Sequence, residues 1–577
     1  MIYRRRHYTL ALSLILSLTL GCDDEPSERQ LGAGEAGEGL AGMSAGARAG
    51  AGAGAGAEVG GQVAGVEPDV TGAGAQVGGV EAGVEAGAQA GGAGAGAEAG
   101  VSVAYPWQEE AERLARDGQL ALTREPQPTG DPAEGLRYLM YGDFVGGGIP
   151  YEIYMRFVGP SEGNALMREG DSAQLPRDFN LFTLDGAQVV GGITCFGCHS
   201  SYINGELVLG VGNSFSNFAA SPPEWLSGVL ETVVRNSYGE ESPEWAAFVD
   251  YGRGSARVAP YTRAPFRGVN PAFVIEAAAS ASRDPNTFAW LEEPLVPLEP
   301  FAEGISSDVP PWWNVKKKAA LYYNGMGRGR FSKMLMQISV VAIRNVEQAA
   351  EIHSHFADLL AWLEALEPPA YQGALDAELA GRGQTLFEAN CTRCHGSYQS
   401  SVLPTREEQY PNLLISLEQV GTDPAYAQQM SARPSLSNWI NEGWYGRSLD
   451  DPRASEQGLG PAQMQAFPLD GYVAPPLDGV WVTAPYLHNG SVPTLKALLN
   501  SATRPTRWSR DFNSSEYDLE QVGWPHQQVT EAELSALEDP SSVYDTTVRG
   551  YGNQGHTFAD HLSDEERAAL LEYLKSI

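Results

Sequence analysis

Two short motifs of cysteine and histidine, at residues 195–199 and 391–395, carry the clearest chemistry in this sequence. Each reads Cys-x-x-Cys-His, with Phe-Gly between the cysteines of the first copy and Thr-Arg in the second. This spacing is the attachment signature of a c-type haem, in which two thiols bond to the haem vinyl groups and the adjacent histidine binds the iron. Cys-x-x-Cys pairs also bind zinc. The histidine directly after the second cysteine in both copies favours two covalently bound haem c groups.

Six side chains take defined roles under this interpretation. In each motif the cysteines attach the haem and the histidine is the proximal iron ligand. The first site would use Cys195, Cys198 and His199, and the second would use Cys391, Cys394 and His395. The chain has five cysteines in all, and the fifth is Cys22. No other thiol remains for a disulfide or for catalysis.

Residues 1–22 have the pattern of a lipoprotein-type signal peptide. Three arginines at positions 4–6 precede an apolar stretch, Leu10–Leu20, which is too short to span a membrane. The stretch ends in Leu-Thr-Leu-Gly-Cys22, which is similar to a bacterial lipoprotein cleavage box. A plain signal peptide is the alternative. Either interpretation places the protein in the periplasm or at the cell surface, and the first tethers it to a membrane through lipid on Cys22.

Residues 23–104 predict a disordered linker. The segment contains no aromatic residue, and more than half of residues 31–100 are Gly or Ala. Such a composition cannot bury enough apolar surface to offset the entropy lost on ordering. We therefore interpret it as a flexible connection between the lipid and a folded part that begins near Tyr105.

The C-terminal unit, which we place at residues 371–577, has the pattern of a cytochrome c domain carrying an electron-relay haem. Leucines and a phenylalanine at helical spacing predict a helix over 374–390 that runs into the second motif. Ser563 followed by Glu566 forms a capping box that opens a last helix. Frequent Gly and Pro between residues 400 and 555 predict long loops.

The N-terminal unit, which we place at residues 105–370, carries the first motif in less regular surroundings. We expect no helix directly before Cys195, short strands around Tyr151–Phe157, and a helix over His353–Leu366 ahead of the boundary. The fold class predicted for the whole chain is mainly α, with two cytochrome c-like haem domains, long loops and a few short strands.

The charge of the chain limits its partners. Acidic residues outnumber basic ones by 72 to 38, which gives a formal net charge of −34. This excess argues against binding to nucleic acid, whose phosphates require basic side chains. An acidic surface favours solubility and would attract a basic redox protein, but charge alone does not establish such a partner.

Four stretches carry a resemblance to a known family. The sequence PPLDGVWVTAPYLHNGSVPTL at 475–495 resembles a stretch shared by the bacterial di-haem cytochrome c peroxidase superfamily. PPWWNVKKK at 310–318, LYYNGMGRG at 321–329 and GNQGH at 552–556 are most similar to the di-haem rubber oxygenases of that superfamily. The resemblance extends over about residues 130–577.

The resemblance implies further iron ligands. His556, in the GNQGH motif, matches the residue that supplies the second axial ligand of the C-terminal haem in rubber oxygenases. Tyr472 is an alternative oxygen ligand, as in the related enzyme that matures methylamine dehydrogenase, and His488 is expected to form hydrogen bonds in a loop. His199 has no equally clear opposite ligand. An open position suits activation of O2 or H2O2, so the His199 haem is expected to be catalytic.

A tryptophan between the haems couples them electronically in the families resembled. Trp313 or Trp312 would take this role, and we favour Trp313, although either could be an ordinary core residue. The lysines that follow, at 316–318, either pair with haem propionates or form a solvated basic run.

The function expected is that of an exported di-haem oxidoreductase. As a rubber-oxygenase-like dioxygenase it would use O2 to cleave an apolar unsaturated substrate such as a polyisoprene. As a peroxidase it would reduce H2O2 with electrons from a small redox protein. A pure electron-transfer cytochrome is the third alternative, which the size of the N-terminal unit disfavours.

Overall fold

The computed structural model describes residues 107–192, 194–220, 225–295, 305–447, 452–459 and 464–577. The predicted signal peptide at 1–22, with Cys22, and the predicted linker at 23–104 lie outside these ranges. Among the helices described, none is long and apolar enough to cross a membrane.

Helices form most of the regular structure described. Before the second motif the α-helices are Trp107–Asp117, Pro132–Tyr141, Tyr151–Phe157, Cys195–Cys198, Trp225–Tyr238, Pro243–Val258, Ala272–Ala281, Phe331–Leu335, Val346–Ser354 and Phe356–Ala365. From there on they are Ala377–Asn390, Thr392–His395, Leu417–Val420, Pro434–Glu442, Trp444–Arg447, Pro452–Glu456, Leu495–Leu498, Glu531–Leu534 and Asp564–Lys575. Short 3-10 turns join them, notably Trp312–Lys317 and Met336–Val341.

The strands described are short, and all of them pair antiparallel. Three sheets have three strands each, in the spatial orders Ile149–Pro150, Ala187–Gly192, Phe179–Leu184; Gln119–Ala121, Leu413–Ser416, Gly471–Val473; and Gln527–Gln528, Arg507–Ser509, Val543–Asp545. Two strand pairs complete the set, Ser200–Ile203 with Glu206–Leu209 and Gly327–Arg328 with Gln465–Ala466.

Strand pairing connects the two sides of residue 370. Leu120 lies opposite Leu414 in one sheet, and Gly327 lies opposite Ala466 in another pair. The predicted boundary near residue 370 therefore separates segments that share backbone hydrogen bonds. Independent folding of the two units stays a prediction.

Two adjacent tryptophans, Trp312 and Trp313, belong to two different large hydrophobic cores. Trp312 packs in a core with Phe196 of the first motif, while Trp313 packs in a second core with Phe387, which precedes the second motif, and Trp481. The peptide that joins Trp312 to Trp313 therefore passes from one core to the other.

Several local predictions can be compared directly with the structure. A helix, Ala377–Asn390, leads into Cys391, and Asp376 caps it by accepting hydrogen bonds from two backbone N–H groups. The capping box of Ser563 and Glu566 is confirmed at the start of the last helix. The absence of a helix just before the first motif is also confirmed, since the strand Ala187–Gly192 occupies that place.

Two local predictions need correction. The expected strands around Tyr151–Phe157 are wrong, because the segment is a helix in which the neighbouring residues Ile153 and Tyr154 are both buried. A strand would point them to opposite faces, and a seven-residue run is too short to separate the two periods by sequence. The helix expected over His353–Leu366 is two helices that meet at His355.

Candidate haem-binding sites

The first motif forms a single helical turn that two asparagines hold in place. The His199 N–H donates to the Cys195 carbonyl at 3.0 Å, which closes the turn. Asn213 binds the turn from the side, with its backbone N–H on the Cys198 carbonyl at 2.8 Å and its side-chain amide on the Gly197 carbonyl at 2.9 Å. The Asn270 amide lies 3.2 Å from the Cys198 sulfur. These contacts fix the turn and place the Asn270 amide beside the Cys198 sulfur.

The His199 side chain is half-buried, and its ring is stacked on Trp312, with ring centres 4.7 Å apart and an angle of 21° between the planes. Burial lowers the pKa of His199 to about 3, against a smaller opposite effect of the Pro310 carbonyl. Its Nδ1 is buried and has no hydrogen-bond partner within bonding geometry among the described residues. The imidazole is therefore neutral at pH 7, which is the form that binds a metal ion.

A cavity of about 580 Å³ adjoins the first motif and includes Cys195, Cys198 and His199 in its lining. Its walls are mostly apolar, with contributions from Phe248 and Leu359. The volume lies in the range of about 300–1,000 Å³ that is usual for ligand and cofactor sites. His199 is the one histidine among the described residues that line it. The thiols, the neutral imidazole and the apolar walls fit a haem attached at this motif.

The cavity lining also contains three buried ionisable side chains outside the first motif, Glu276, Asp308 and Lys318. Burial raises the pKa of Glu276 to about 7 and that of Asp308 to about 8, and it lowers the pKa of Lys318 to about 8. The Tyr322 hydroxyl donates to a Glu276 oxygen at 3.1 Å, and the Tyr323 hydroxyl donates to an Asp308 oxygen at 3.0 Å. The otherwise apolar cavity thus contains groups able to exchange protons near neutral pH.

The second motif is positioned by the packing of two helices. Ala377–Asn390 crosses the last helix so closely that a Cβ on Gly383 would lie 1.9 Å from the Ala569 carbonyl oxygen. Phe387, one turn before the motif, packs on Tyr573 of the last helix with ring centres 5.2 Å apart. The helix before the motif and the last helix therefore pack against each other, and a cytochrome c domain around them stays a prediction.

Two histidine rings face each other at the second motif. His395 Nδ1 lies 2.9 Å from the Pro475 carbonyl, and because a carbonyl only accepts, Nδ1 carries the proton and Nε2 is free for a metal. The His395 and His556 ring centres are 6.2 Å apart, with an angle of 65° between the planes. Two imidazoles bound to one metal at about 2 Å, with each ring centre about 1 Å further, require a separation of roughly 6 Å. The separation fits one metal ion that both imidazoles would hold.

The loop that carries His556 is held by a guanidinium group. Arg504 donates to the carbonyls of Asn553, Gly555 and His556 at 2.7, 2.7 and 3.0 Å. Gly555 and His556 both have positive φ, +74° and +44°, so the clamp holds a conformation that a histidine seldom adopts. Burial lowers the pKa of His556 to about 3, and the neighbouring His395 lowers it further in the same direction. The ring is therefore neutral at pH 7.

The turn Trp312–Lys317 connects the surroundings of the two motifs. Its first N–H, on Trp312, donates to the Gly210 carbonyl at 2.8 Å, and the Gly210 N–H donates to the His199 carbonyl at 2.8 Å. On the other side, the Trp313 indole N–H donates to the Asp478 carbonyl at 2.7 Å, three residues beyond the Pro475 that binds His395. Trp313 is fully buried between these two contacts.

One comparison with known protein families gives a match in the C-terminal part of the chain. The profile of the family described as "RoxA-like, cytochrome c-like" matches residues 471–509, a segment that includes both Pro475 and Arg504. This match supports a haem-dependent oxidoreductase related to the rubber oxygenases.

Two proteins of Sinorhizobium fredii (strain NBRC 101917 / NGR234) are similar over longer stretches. Uncharacterized protein y4iM is 26% identical over 320 residues, which are 52% of this chain and 71% of that protein. Uncharacterized protein y4iJ is 30% identical over 260 residues, which are 37% of this chain and 41% of that protein.

The structure gives the other candidate ligands different surroundings. The Tyr472 hydroxyl donates to the Asp423 carbonyl at 2.6 Å and lies 3.1 Å from His488 Nε2, on which its ring is stacked. Tyr472 and His488 thus form a pair with each other, whereas His395 faces His556. His353 lies 3.1 Å from the Ser332 hydroxyl, and the His355 ring is stacked on a tyrosine.

Sequence reasoning missed three residues that shape the sites: Asn213, Asn270 and Arg504. Each contacts a segment that is not adjacent to it in the chain, as Arg504 does with a loop about 50 residues later. Single polar residues in loops carry no periodic or spacing signal. Only the Cys-x-x-Cys-His motifs, whose parts are adjacent in sequence, could be identified from the residues alone.

Proposed function

We propose that this chain is an exported di-haem c-type oxidoreductase that uses O2 at the first motif to cleave an unsaturated apolar substrate, as rubber oxygenases do. One observation carries the proposal: the two motifs have different surroundings. His395 faces a second histidine, whereas His199 adjoins a cavity whose described lining contains no other histidine. An iron whose ligand positions are all filled suits electron transfer, and an iron with a free ligand position suits reaction with O2 or peroxide.

When bound, haem c supplies an iron that exchanges electrons and binds small oxidants. The residues of the first site do the rest. Cys195 and Cys198 would hold the group covalently, and Asn213 fixes the turn that carries them. His199 would supply a neutral imidazole to the iron. The apolar walls exclude water and provide a surface on which a hydrocarbon chain is favourably buried.

The second site is proposed as an electron relay, in a second cytochrome c-like unit. His395 and His556 would both hold the iron, and an iron with two such ligands suits electron transfer. Trp313 is proposed as the coupling residue, because its indole reaches the segment that positions His395 while its backbone adjoins Trp312, on which His199 is stacked. Export and the lipid tether at Cys22 belong to the same proposal and rest on the sequence of residues 1–22.

A second candidate function is a peroxidase, which the polar part of the cavity favours. One oxygen of Glu276 is buried without a hydrogen-bond partner among the described residues, and the other accepts from Tyr322. A carboxyl with a pKa of about 7 can deliver and take up a proton during cleavage of H2O2. An electron-transfer cytochrome is disfavoured by the size of the N-terminal unit, because a carrier needs little more than a shell around its haem.

The test measures O2 and peroxide turnover on the full-length holoprotein. We expect O2 uptake with polyisoprene latex and release of carbonyl products, with only slow oxidation of a reduced small cytochrome by H2O2. His199→Gly is expected to abolish O2 uptake, and His561→Ala, at an exposed histidine, serves as the matched control. Fast cytochrome-dependent H2O2 turnover without O2 uptake on any unsaturated substrate would refute the oxygenase and leave the peroxidase.

A further inference from the structure

Three consecutive lysines, at positions 316–318, lie at the end of the turn Trp312–Lys317 and directly after it. The structure gives them different environments. Lys316 forms an ion pair with Glu367 at 2.5 Å, and Lys317 forms one with Asp478 at 2.6 Å. Lys318 is 5% exposed and lines the cavity beside the first motif. Its ammonium group has no hydrogen bond or ion pair with the part of the chain that the structure describes.

An unpartnered buried ammonium is costly. A charged group removed from water loses favourable hydration unless an opposite charge or hydrogen bonds replace it. Lys318 is the one lysine or arginine among the described residues of the cavity lining. Its lowered pKa has burial as its sole cause, so neither Glu276 nor Asp308 compensates the charge. The missing partner is therefore expected to come from something that occupies the cavity.

We propose that Lys318 binds a carboxylate inside this cavity, supplied either by a propionate of the haem attached at the first motif or by an unsaturated fatty acid as substrate. The inference rests on the proposed function for the presence of that haem. One ammonium group above apolar walls matches one carboxylate on an otherwise apolar molecule. The fatty-acid source would change the substrate class from a pure hydrocarbon to an anionic lipid.

The experiment replaces Lys318 by Met in the full-length holoprotein and has two arms. Met keeps the length of the side chain, removes the charge and suits a buried apolar position. The first arm titrates the protein with oleate and with oleyl alcohol, which share the same chain and differ in charge. The second arm measures the midpoint potential of the first haem, without lipid, by spectroelectrochemistry.

Each outcome decides between the sources or rejects both. A loss of oleate affinity of about tenfold or more, with oleyl alcohol affinity and the potential unchanged, assigns the substrate carboxylate. A shift of the first haem to a more negative potential assigns the propionate, even if both lipids then bind less well. If oleate affinity stays within threefold and the potential is unchanged, the proposal is wrong.

Two further variants and one measurement serve as controls. Lys316→Gln removes the same charge two residues earlier, at an ion pair on the surface, and should alter neither arm. Lys318→Arg keeps the charge and should restore the oleate affinity or the midpoint potential that changes in the Met variant. This distinguishes a loss of the charge from a failure of the variant to fold. The mass of the denatured wild-type protein reports covalent haem at the first motif separately. Its absence would refute the proposed function, and the oleate titration would still decide the role of Lys318.

Discussion

Removal of the His556 imidazole is the sharpest test of the second site. The 6.2 Å between the ring centres of His395 and His556 leaves room for one metal ion between two imidazoles. His556→Ala takes away one of them and leaves an iron with a single axial histidine. We expect the low-spin signal of this haem to become high-spin, while the signal of the first haem is little affected.

The expected size of the change can be worked out from ligand preference. An axial imidazole stabilises the oxidised iron more than the reduced iron, and each tenfold loss of that preference raises the potential by about 59 mV for one electron. A hundredfold preference would therefore give a rise of about 120 mV. Because Arg504 binds backbone carbonyls of the loop, the loop itself should keep its conformation in the variant.

Electron paramagnetic resonance and a redox titration of the purified holoprotein would measure both changes. His561→Ala, at an exposed histidine five residues further along, is the matched control and should change neither. Low-spin signals that persist at both haems in His556→Ala, with an unaltered potential, would refute His556 as a ligand.

Three further predictions concern electron transfer, packing and pH. Trp313→Phe removes the hydrogen bond to the Asp478 carbonyl; it should slow electron exchange between the haems in flash photolysis and cost about 1–3 kcal/mol of stability, with full haem content. Gly383→Ala should destabilise the chain in urea by more than about 2 kcal/mol, since the new Cβ meets the Ala569 carbonyl, and an unchanged midpoint would contradict the packing. Burial raises the pKa of Glu276 from 4.5 to about 7, so protonation of Glu276 stabilises the folded state, and this stabilisation is lost as pH rises from 4.5 to 7. The stability of Glu276→Gln should therefore rise by about 3 kcal/mol relative to that of the wild type between pH 4.5 and 8, as measured by thermal unfolding. Stability curves of the two proteins that run parallel against pH would exclude this account.

The features that could be predicted from the sequence depend on residues close together in the chain. A capping box joins Ser563 to Glu566 across three positions, and its geometry follows from one helical turn. The helix before Cys391 likewise follows from leucine spacing over a few turns. The short run Tyr151–Phe157 failed because seven residues fit either period, and tertiary packing made it helical.

The arrangement of the sites depends on contacts between distant segments. Trp313 reaches Asp478, 165 residues away, and no local pattern records that contact. The motif of His556 resembles a known family, and the structure places the His556 ring beside His395. Ligation by His556 stays a prediction until the iron is observed. Lys318 could not be told apart from Lys316 and Lys317 by sequence, because only the fold decides which of three lysines is buried.

The burial of Phe196 has a consequence for how the protein is made. This side chain lies between the two cysteines and has no exposed surface, while both cysteines are partly exposed and line the cavity. An enzyme that forms the two thioether bonds needs access to both sulfurs and to the vinyl groups at once. Because packing of Phe196 fixes the turn that carries both sulfurs, we expect attachment to come before that packing: the cofactor enters first, and the core around Phe196 closes afterwards.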